Sequence, residues 1–281
     1  MELPKNPKEC AFHIDVDGKK EICMEDAIID ELKTYATNIK KLNVSGKKDT
    51  IDKLKEVLDC QTESCILTKS EIKDAIGHDK AVKQLDERFK PEGPFDSDQW
   101  FSNINIDKVL DQIAIKYKEK KFLHIEFQMR DFEKAGGELS KIDLAKEYER
   151  GIRCFGVVFN TDYSAGNGQH WFSIYGDFHK EPFTIEYFNS TGQAPLPEIS
   201  SWMKKTKHHM EKTLNKKVED VAVSKIVNQA DNHSCGSYSL YYIISRLEGV
   251  PYSHFSKTKI GDAVMHEFRK HHLFRQSRSE N

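Results

Sequence analysis

The sequence predicts an α+β fold, with helices first, strands in the middle, and further helices among and after the strands. Three observations carry this. Apolar residues recur at helical spacing between 25 and 89. Short apolar or alternating runs follow between 122 and 188. Residues 238–247 then form an apolar stretch that reads as a buried helix. A chain of 281 residues holds one large domain, or a main domain with a smaller one. Hydrophobic residues at 38% suffice for a core, while 31% charged residues imply a very polar surface.

Residues 1–90 are expected to form a separate helical arm domain. Within 25–42, Ile28, Ile29, Leu32, Tyr35, Ala36 and Ile39 line one helix face. Shorter stripes occupy 50–58 and 68–89, with Thr68 or Ser70 as available N-caps. Pro91-Glu92-Gly93-Pro94 cannot continue a helix and is the expected linker, which leaves 91–281 as the core domain. There Val109, Leu110, Ile113, Ala114 and Tyr117 predict a helix over 106–117. A strand is expected over 122–127 and a helix over 141–150. Gly156-Val157-Val158-Phe159 and 170–175 read as strands. Phe183-Thr184-Ile185-Glu186-Tyr187-Phe188 alternates before the turn residues Asn189-Ser190-Thr191-Gly192. An amphipathic helix is expected over 197–214, a strand over 218–227, and the buried helix over 237–246.

The bulk numbers exclude several classes. A net charge of -2 gives no global basic field that would demand a nucleic-acid partner. No apolar run approaches a membrane span, and the charged, proline-containing start over 1–9 does not read as a signal peptide. The six cysteines, at 10, 23, 60, 65, 154 and 235, show no repeated spacing, so free thiols in a reducing compartment are expected. Cys60 and Cys65 lack a second ligand pair for zinc. His208-His209 and His271-His272 stand isolated, so no metal ligands are assigned. The lysine-rich runs at 116–121 and 204–207 read as solvated helix faces.

Chemistry concentrates in Gln229-Ala230-Asp231-Asn232-His233-Ser234-Cys235-Gly236. Cys235 stands at the start of the buried helix, where the helix N-terminus favours thiolate over thiol. Gln229, six residues earlier, offers a neutral amide donor of the kind that stabilises an oxyanion. Cysteine hydrolysis also needs an imidazole and a group that fixes it. His170 begins a strand after the loop Ser164-Ala165-Gly166-Asn167-Gly168, and Asn189 follows the next strand. Two adjacent antiparallel strands would bring them together, with one ring nitrogen on Asn189 and the other facing Cys235. Asn160, ahead of the His170 loop, is a candidate for binding substrate backbone.

The order His170-Trp171, Asn189, Gln229, Cys235-Gly236 resembles the clan of ubiquitin-like-protein proteases, SUMO proteases and adenoviral proteases. The likeness is strongest to its polyprotein-processing branch in large DNA viruses. It extends over Asn160-Thr161-Asp162, Gly168-Gln169-His170-Trp171, Ile185-Glu186-Tyr187-Phe188-Asn189-Ser190 and Tyr238-Ser239-Leu240. The resemblance implies a papain-like-clan core, a central mixed sheet flanked by helices. It implies His170 as base, Asn189 as orienting residue, Cys235 as nucleophile, and Gln229 with the Cys235 N–H as oxyanion donors. Trp171 would cover a narrow channel for a Gly-Gly backbone, with Ile104 as the opposite wall. No metal or organic cofactor is implied. The implied activity is cleavage of viral structural polyproteins at Gly-Gly-X sites during virion maturation, in the host cytoplasm and the virion. Ubiquitin-like conjugates are the alternative substrates, and a silent module that grips Gly-Gly tails is the non-enzymatic alternative.

Overall fold

The computed structural model describes residues 9–14, 21–94, 98–223 and 225–275. The start over 1–8 and the tail beyond 275 lie outside them. The chain divides into two compact units, Met1–Phe95 with Lys270–Asn281, and Asp96–Arg269. The C-terminal segment, read from sequence as part of the 91–281 domain, thus groups with the first unit. Within that unit the Arg275 N–H donates to Pro91 O at 3.1 Å.

The first unit is helical: α1 (Asp26–Asn38), α2 (Lys47–Val57), α3 (Glu63–Thr68), α4 (Ser70–Ile76) and α5 (His78–Arg88). The stripe Ile28, Ile29, Leu32, Tyr35 and Ala36 is buried against Ile51, Leu54, Ile66, Leu67 and Ile72, so the helices use their apolar faces on one another. The single helix expected over 68–89 is broken at Gly77, whose φ of +95° no helical residue adopts. The expectation of free thiols is corrected here. Cys10 pairs with Cys23 and Cys60 with Cys65, at Cα separations of 5.1 and 5.6 Å, leaving Cys154 and Cys235 free. Partners 13 and 5 residues apart staple the loops entering α1 and α3, a proximity no spacing motif announces.

The second unit begins with α6 (Asn103–Lys116), whose capping box of Ser102 and Asn105 sets its start. Short strands β1 (Phe122–His124) and β2 (Gln128–Met129) precede α7 (Phe132–Ala135) and α8 (Leu144–Glu149). Then come β3 (Cys154–Asn160), β4 (Trp171–Asp177), β5 (Phe183–Phe188), α9 (Pro197–Leu214), β6 (Val218–Ala222), α10 (Cys235–Leu247), α11 (Tyr252–Phe255) and α12 (Asp262–Phe268). The sheet runs β1-β3-β4-β5-β6, with β2 also on β3. The β3-β4 and β4-β5 pairs are antiparallel and the others parallel, so the sheet is mixed. The strand expected over 218–227 stops at Ala222.

Both faces of the sheet are covered. Phe155, Val157 and Phe159, Phe172 and Ile174, and Phe183, Ile185 and Tyr187 share one face with Leu144, Ile199, Trp202, Met203 and Met210. The other face carries α10, in which every residue except Arg246 is buried. The missing Cβ of Gly156 makes room for Ile243, and Tyr242 stacks on Phe188 at 4.5 Å. Arg246 reaches Glu186 through Nε at 2.7 Å and Nη2 at 2.8 Å, and Tyr242 donates to the same carboxylate. This buried pair fixes how far α10 extends across the sheet. Among the described residues no helix is long and apolar enough to cross a membrane.

Candidate active site

His170 directly precedes β4, and Asn189 directly follows β5. The antiparallel register, with Ser173 opposite Phe188, brings these two strand ends together. His170 Nε2 lies 2.8 Å from Asn189 Oδ1. The Asn189 amide is oriented unambiguously. Its Oδ1 also accepts from the Thr191 N–H at 3.0 Å and the Thr191 hydroxyl at 2.9 Å, and its Nδ2 donates to the Tyr187 hydroxyl at 3.0 Å. An acceptor oxygen facing Nε2 requires the proton on Nε2, which leaves the Nδ1 lone pair as the basic position of the neutral ring.

Cys235 is the first residue of α10, and its side chain is buried. Burial pushes the thiol up to about 11, while the backbone N–H groups of Trp171, Gly236 and Cys235 itself pull it down. The Trp171 N–H contact places the sulfur beside the residue that follows His170 in the chain. Loss of solvent thus opposes the preference for thiolate that the helix terminus gives. Burial also pushes His170 below the ordinary histidine range, with the Asn189 bond opposing it. Both shifts favour the uncharged forms of the pair.

Gln229 is tied to both halves of the site. Its N–H donates to Ser190 O at 3.1 Å, and its Oε1 accepts from the Ser190 hydroxyl at 2.7 Å. Its Nε2 donates to Asp231 O at 3.0 Å and Asp231 Oδ1 at 3.2 Å. The amide expected to face an oxyanion is thus held by Asp231 in this state. Asp231 was not singled out from the sequence, yet it organises the turn into α10. Its Oδ1 accepts from the His233 and Ser234 N–H groups at 3.1 and 2.9 Å, and its Oδ2 accepts from the Ser234 hydroxyl. Burial alone would raise the Asp231 carboxyl, but the Ser234, His266 and His233 donors outweigh it and hold the group well below the usual range. The pattern Asp-x-x-Ser before an apolar helix was the available signal.

The remaining candidates divide. The buried Trp171 indole donates through Nε1 to Phe101 O at 3.2 Å and meets Phe127 edge-on at 6.1 Å. Ile104, expected opposite the indole, is 59% exposed on the first turn of α6. A Cβ at Gly236 would lie 2.6 Å from the Phe101 ring, so glycine follows Cys235 because an aromatic approaches the backbone there. Asn160 pairs with Trp171 across β3 and β4, and its Oδ1 accepts from the Asp162 and Gln169 N–H groups, both at 2.9 Å. Its acceptor holds the loop leading to His170, where Gly168 has a φ of +89° and lies against the Asn160 amide. Glu186, the nearest carboxylate in sequence to Asn189, is committed to Arg246 and Tyr242.

Comparison with known proteins identifies the family. Residues 154–278 match the Ulp1 protease family, C-terminal catalytic domain. A cysteine protease of African swine fever virus, isolate Tick/Malawi/Lil 20-1/1983, is 36% identical over 97% of both chains. The SUMO-1 cysteine protease of isolate Pig/Kenya/KEN-50/1950 of the same virus is 35% identical over the same share. The crystal structure of an African swine fever virus protease superposes with a TM-score of 0.82 at 33% identity, covering 98% of each chain. With relatives of this identity matched from end to end, the chain belongs to the Ulp1-type cysteine protease family that includes these African swine fever virus enzymes.

Proposed function

We propose that this cysteine protease is a viral endopeptidase that cuts structural polyproteins after Gly-Gly, with Cys235 as nucleophile, His170 as base and acid, and Asn189 as the orienting residue. The observation that carries the reading is the 2.8 Å contact between His170 Nε2 and Asn189 Oδ1, which reserves Nδ1 for the cysteine. As the sulfur attacks the scissile carbonyl, Nδ1 takes the thiol proton and the carbonyl π pair moves onto oxygen. Collapse of this intermediate breaks the C–N bond, and His170 protonates the leaving amine. Water then attacks the thioester, gives its proton to His170, and the C–S bond breaks to restore the thiol. Asn189 is neutral, so it orients the imidazolium without the charge stabilisation of a carboxylate. Gln229 reaches the oxyanion by exchanging one of its Asp231 contacts for the substrate oxygen, beside the Cys235 N–H.

Trp171, locked by the Phe101 carbonyl, suits the roof of a channel too narrow for side chains, hence the Gly-Gly preference. Ile104 would form the opposite wall, and Asn160, whose Oδ1 is taken up by its own loop, would meet the substrate backbone through its Nδ2. The apolar stripes of the first unit are used within its own core, which favours a supporting role for this unit over capture of polyprotein through those stripes. As part of the same proposal, the enzyme would act in the host cytoplasm and the maturing virion.

A second reading is release of ubiquitin-like proteins, favoured by the name SUMO-1 cysteine protease carried by several relatives. Turnover of a Gly-Gly-Ser peptide from a polyprotein junction should be compared with turnover of a ubiquitin-like fusion of the same scissile sequence. The proposal expects kcat/KM on the peptide at least to equal that on the fusion. A fusion cut far faster than the peptide would overturn it in favour of the second reading.

A further inference from the structure

Three potential ligand groups converge beside the turn into α10. Asp231 Oδ2 lies 3.0 Å from His266 Nε2 and 3.2 Å from His233 Nε2, and the three donor atoms all fall within 4.8 Å of one another. A tetrahedral zinc ion with bonds of about 2.0–2.1 Å holds its donors about 3.3 Å apart. Two edges of such a tetrahedron are therefore already in place.

His233 supplies the second observation. Its Nδ1 lies 3.2 Å from Asn232 Oδ1, a carbonyl oxygen that requires the proton there and leaves the lone pair on Nε2. That Nε2 is shielded from solvent and faces Asp231 Oδ2 at 3.2 Å and Asp98 Oδ1 at 3.7 Å without a hydrogen bond of good geometry. An imidazole whose far nitrogen meets an oxygen acceptor, with its near nitrogen turned to a carboxylate and another imidazole, has the orientation of a metal ligand.

The scaffold holds the donors independently of any ion. Asp262, at the start of α12, accepts from the Ala230 and Asp231 N–H groups, both at 3.0 Å, and from the Tyr238 hydroxyl at 2.9 Å. This ties the helix that carries His266 to the loop that carries Asp231 and His233. The His266 side chain is 39% exposed, which gives an ion a path from solvent. Asp98 Oδ1, 3.7 Å from His233 Nε2, or a water would complete the coordination.

We propose that Asp231, His233 and His266 form a site for a divalent transition metal of the zinc class, which clamps α12 to the loop entering α10. Two imidazoles and one carboxylate suit zinc and disfavour magnesium and calcium, which prefer all-oxygen shells. The hydrolytic steps proposed above do not use this ion, and the site stands whether or not that reading holds.

The test is a calorimetric zinc titration of the untagged full chain carrying Cys235→Ser, which removes the active-site thiol as a competing ligand. One ion should bind per chain, calcium should not bind, and the Tm should rise with zinc. His266→Gln, which keeps an amide donor for Asp231, should weaken zinc binding by about tenfold or more and abolish the Tm shift. Should that variant not fold, a crystal of the Cys235→Ser protein grown with zinc should show an anomalous peak between the three side chains. No saturable binding, affinity unchanged by His266→Gln, or an anomalous peak elsewhere would overturn the proposal.

Discussion

The Tyr187 hydroxyl accepts a 3.0 Å hydrogen bond from Asn189 Nδ2, and this contact helps decide which end of the Asn189 amide faces His170. Tyr187 is thereby a positioning residue that acts through Asn189. Tyr187→Phe leaves the amide N–H unpaired at about 1–2 kcal/mol, so kcat should fall about five- to thirtyfold. The KM should stay near the wild-type value, because the lost contact orients the base and touches no substrate. Steady-state kinetics on a fold verified by circular dichroism would check this. An unchanged kcat would mean that Thr191 alone suffices to orient the amide.

The buried Arg246–Glu186 pair should be a stability determinant rather than a catalytic one. Glu186 is fully enclosed, so Arg246→Ala leaves its charge served only by the Thr184 and Tyr242 hydroxyls. Removing one partner of such a pair costs about 3–5 kcal/mol. Urea unfolding should show an unfolding free energy lower by that amount, while the folded fraction keeps its KM.

The reactivity of Cys235 should depend on pH in one direction. Burial raises the thiol to about 11 and lowers His170, so the thiolate appears as pH rises through the thiol's own ionisation. Alkylation of the free enzyme by iodoacetamide should accelerate steadily from neutral pH into the alkaline range. A flat rate across the neutral range would show instead a resting thiolate–imidazolium pair.

The cysteine pairing has a direct chemical readout. Denatured but unreduced protein should take up alkylating label at Cys154 and Cys235 alone, and all six cysteines should label after reduction. Peptide mapping distinguishes this from the free-thiol state that the composition suggests. Label at Cys10 or Cys60 before reduction would contradict the paired arrangement.

How much the sequence revealed depended on how local the cause was. The alternation of 183–188 and the Pro197 start of α9 are local, and both elements fall at the residues expected from them. Gly77 is also local, but a helical stripe continues on either side of it, which hid the break between α4 and α5. The disulfides join residues whose nearness arises only from folding. The meeting of His170 with Asn189 was legible because the ends of adjacent antiparallel strands constrain it. The role of Asp231 was not, because two of its partners, Asp262 and His266, come from α12, a helix for which no sequence pattern was found. The grip of Asp231 on Gln229 and the burial of Cys235 are likewise tertiary, so a freely available amide and a favoured thiolate were read in their place.

The most direct test compares cleavage of a Gly-Gly-Ser peptide by the wild type with Cys235→Ser, His170→Ala, Asn189→Ala and Gln229→Ala. Activity should vanish with Cys235→Ser and His170→Ala and fall partially with the two amide variants. For Gln229→Ala the loss should be about 2.7–4 kcal/mol in kcat if its side chain donates to the oxyanion. A folded His170→Ala or Cys235→Ser variant that retained wild-type turnover would contradict the assignment of the triad.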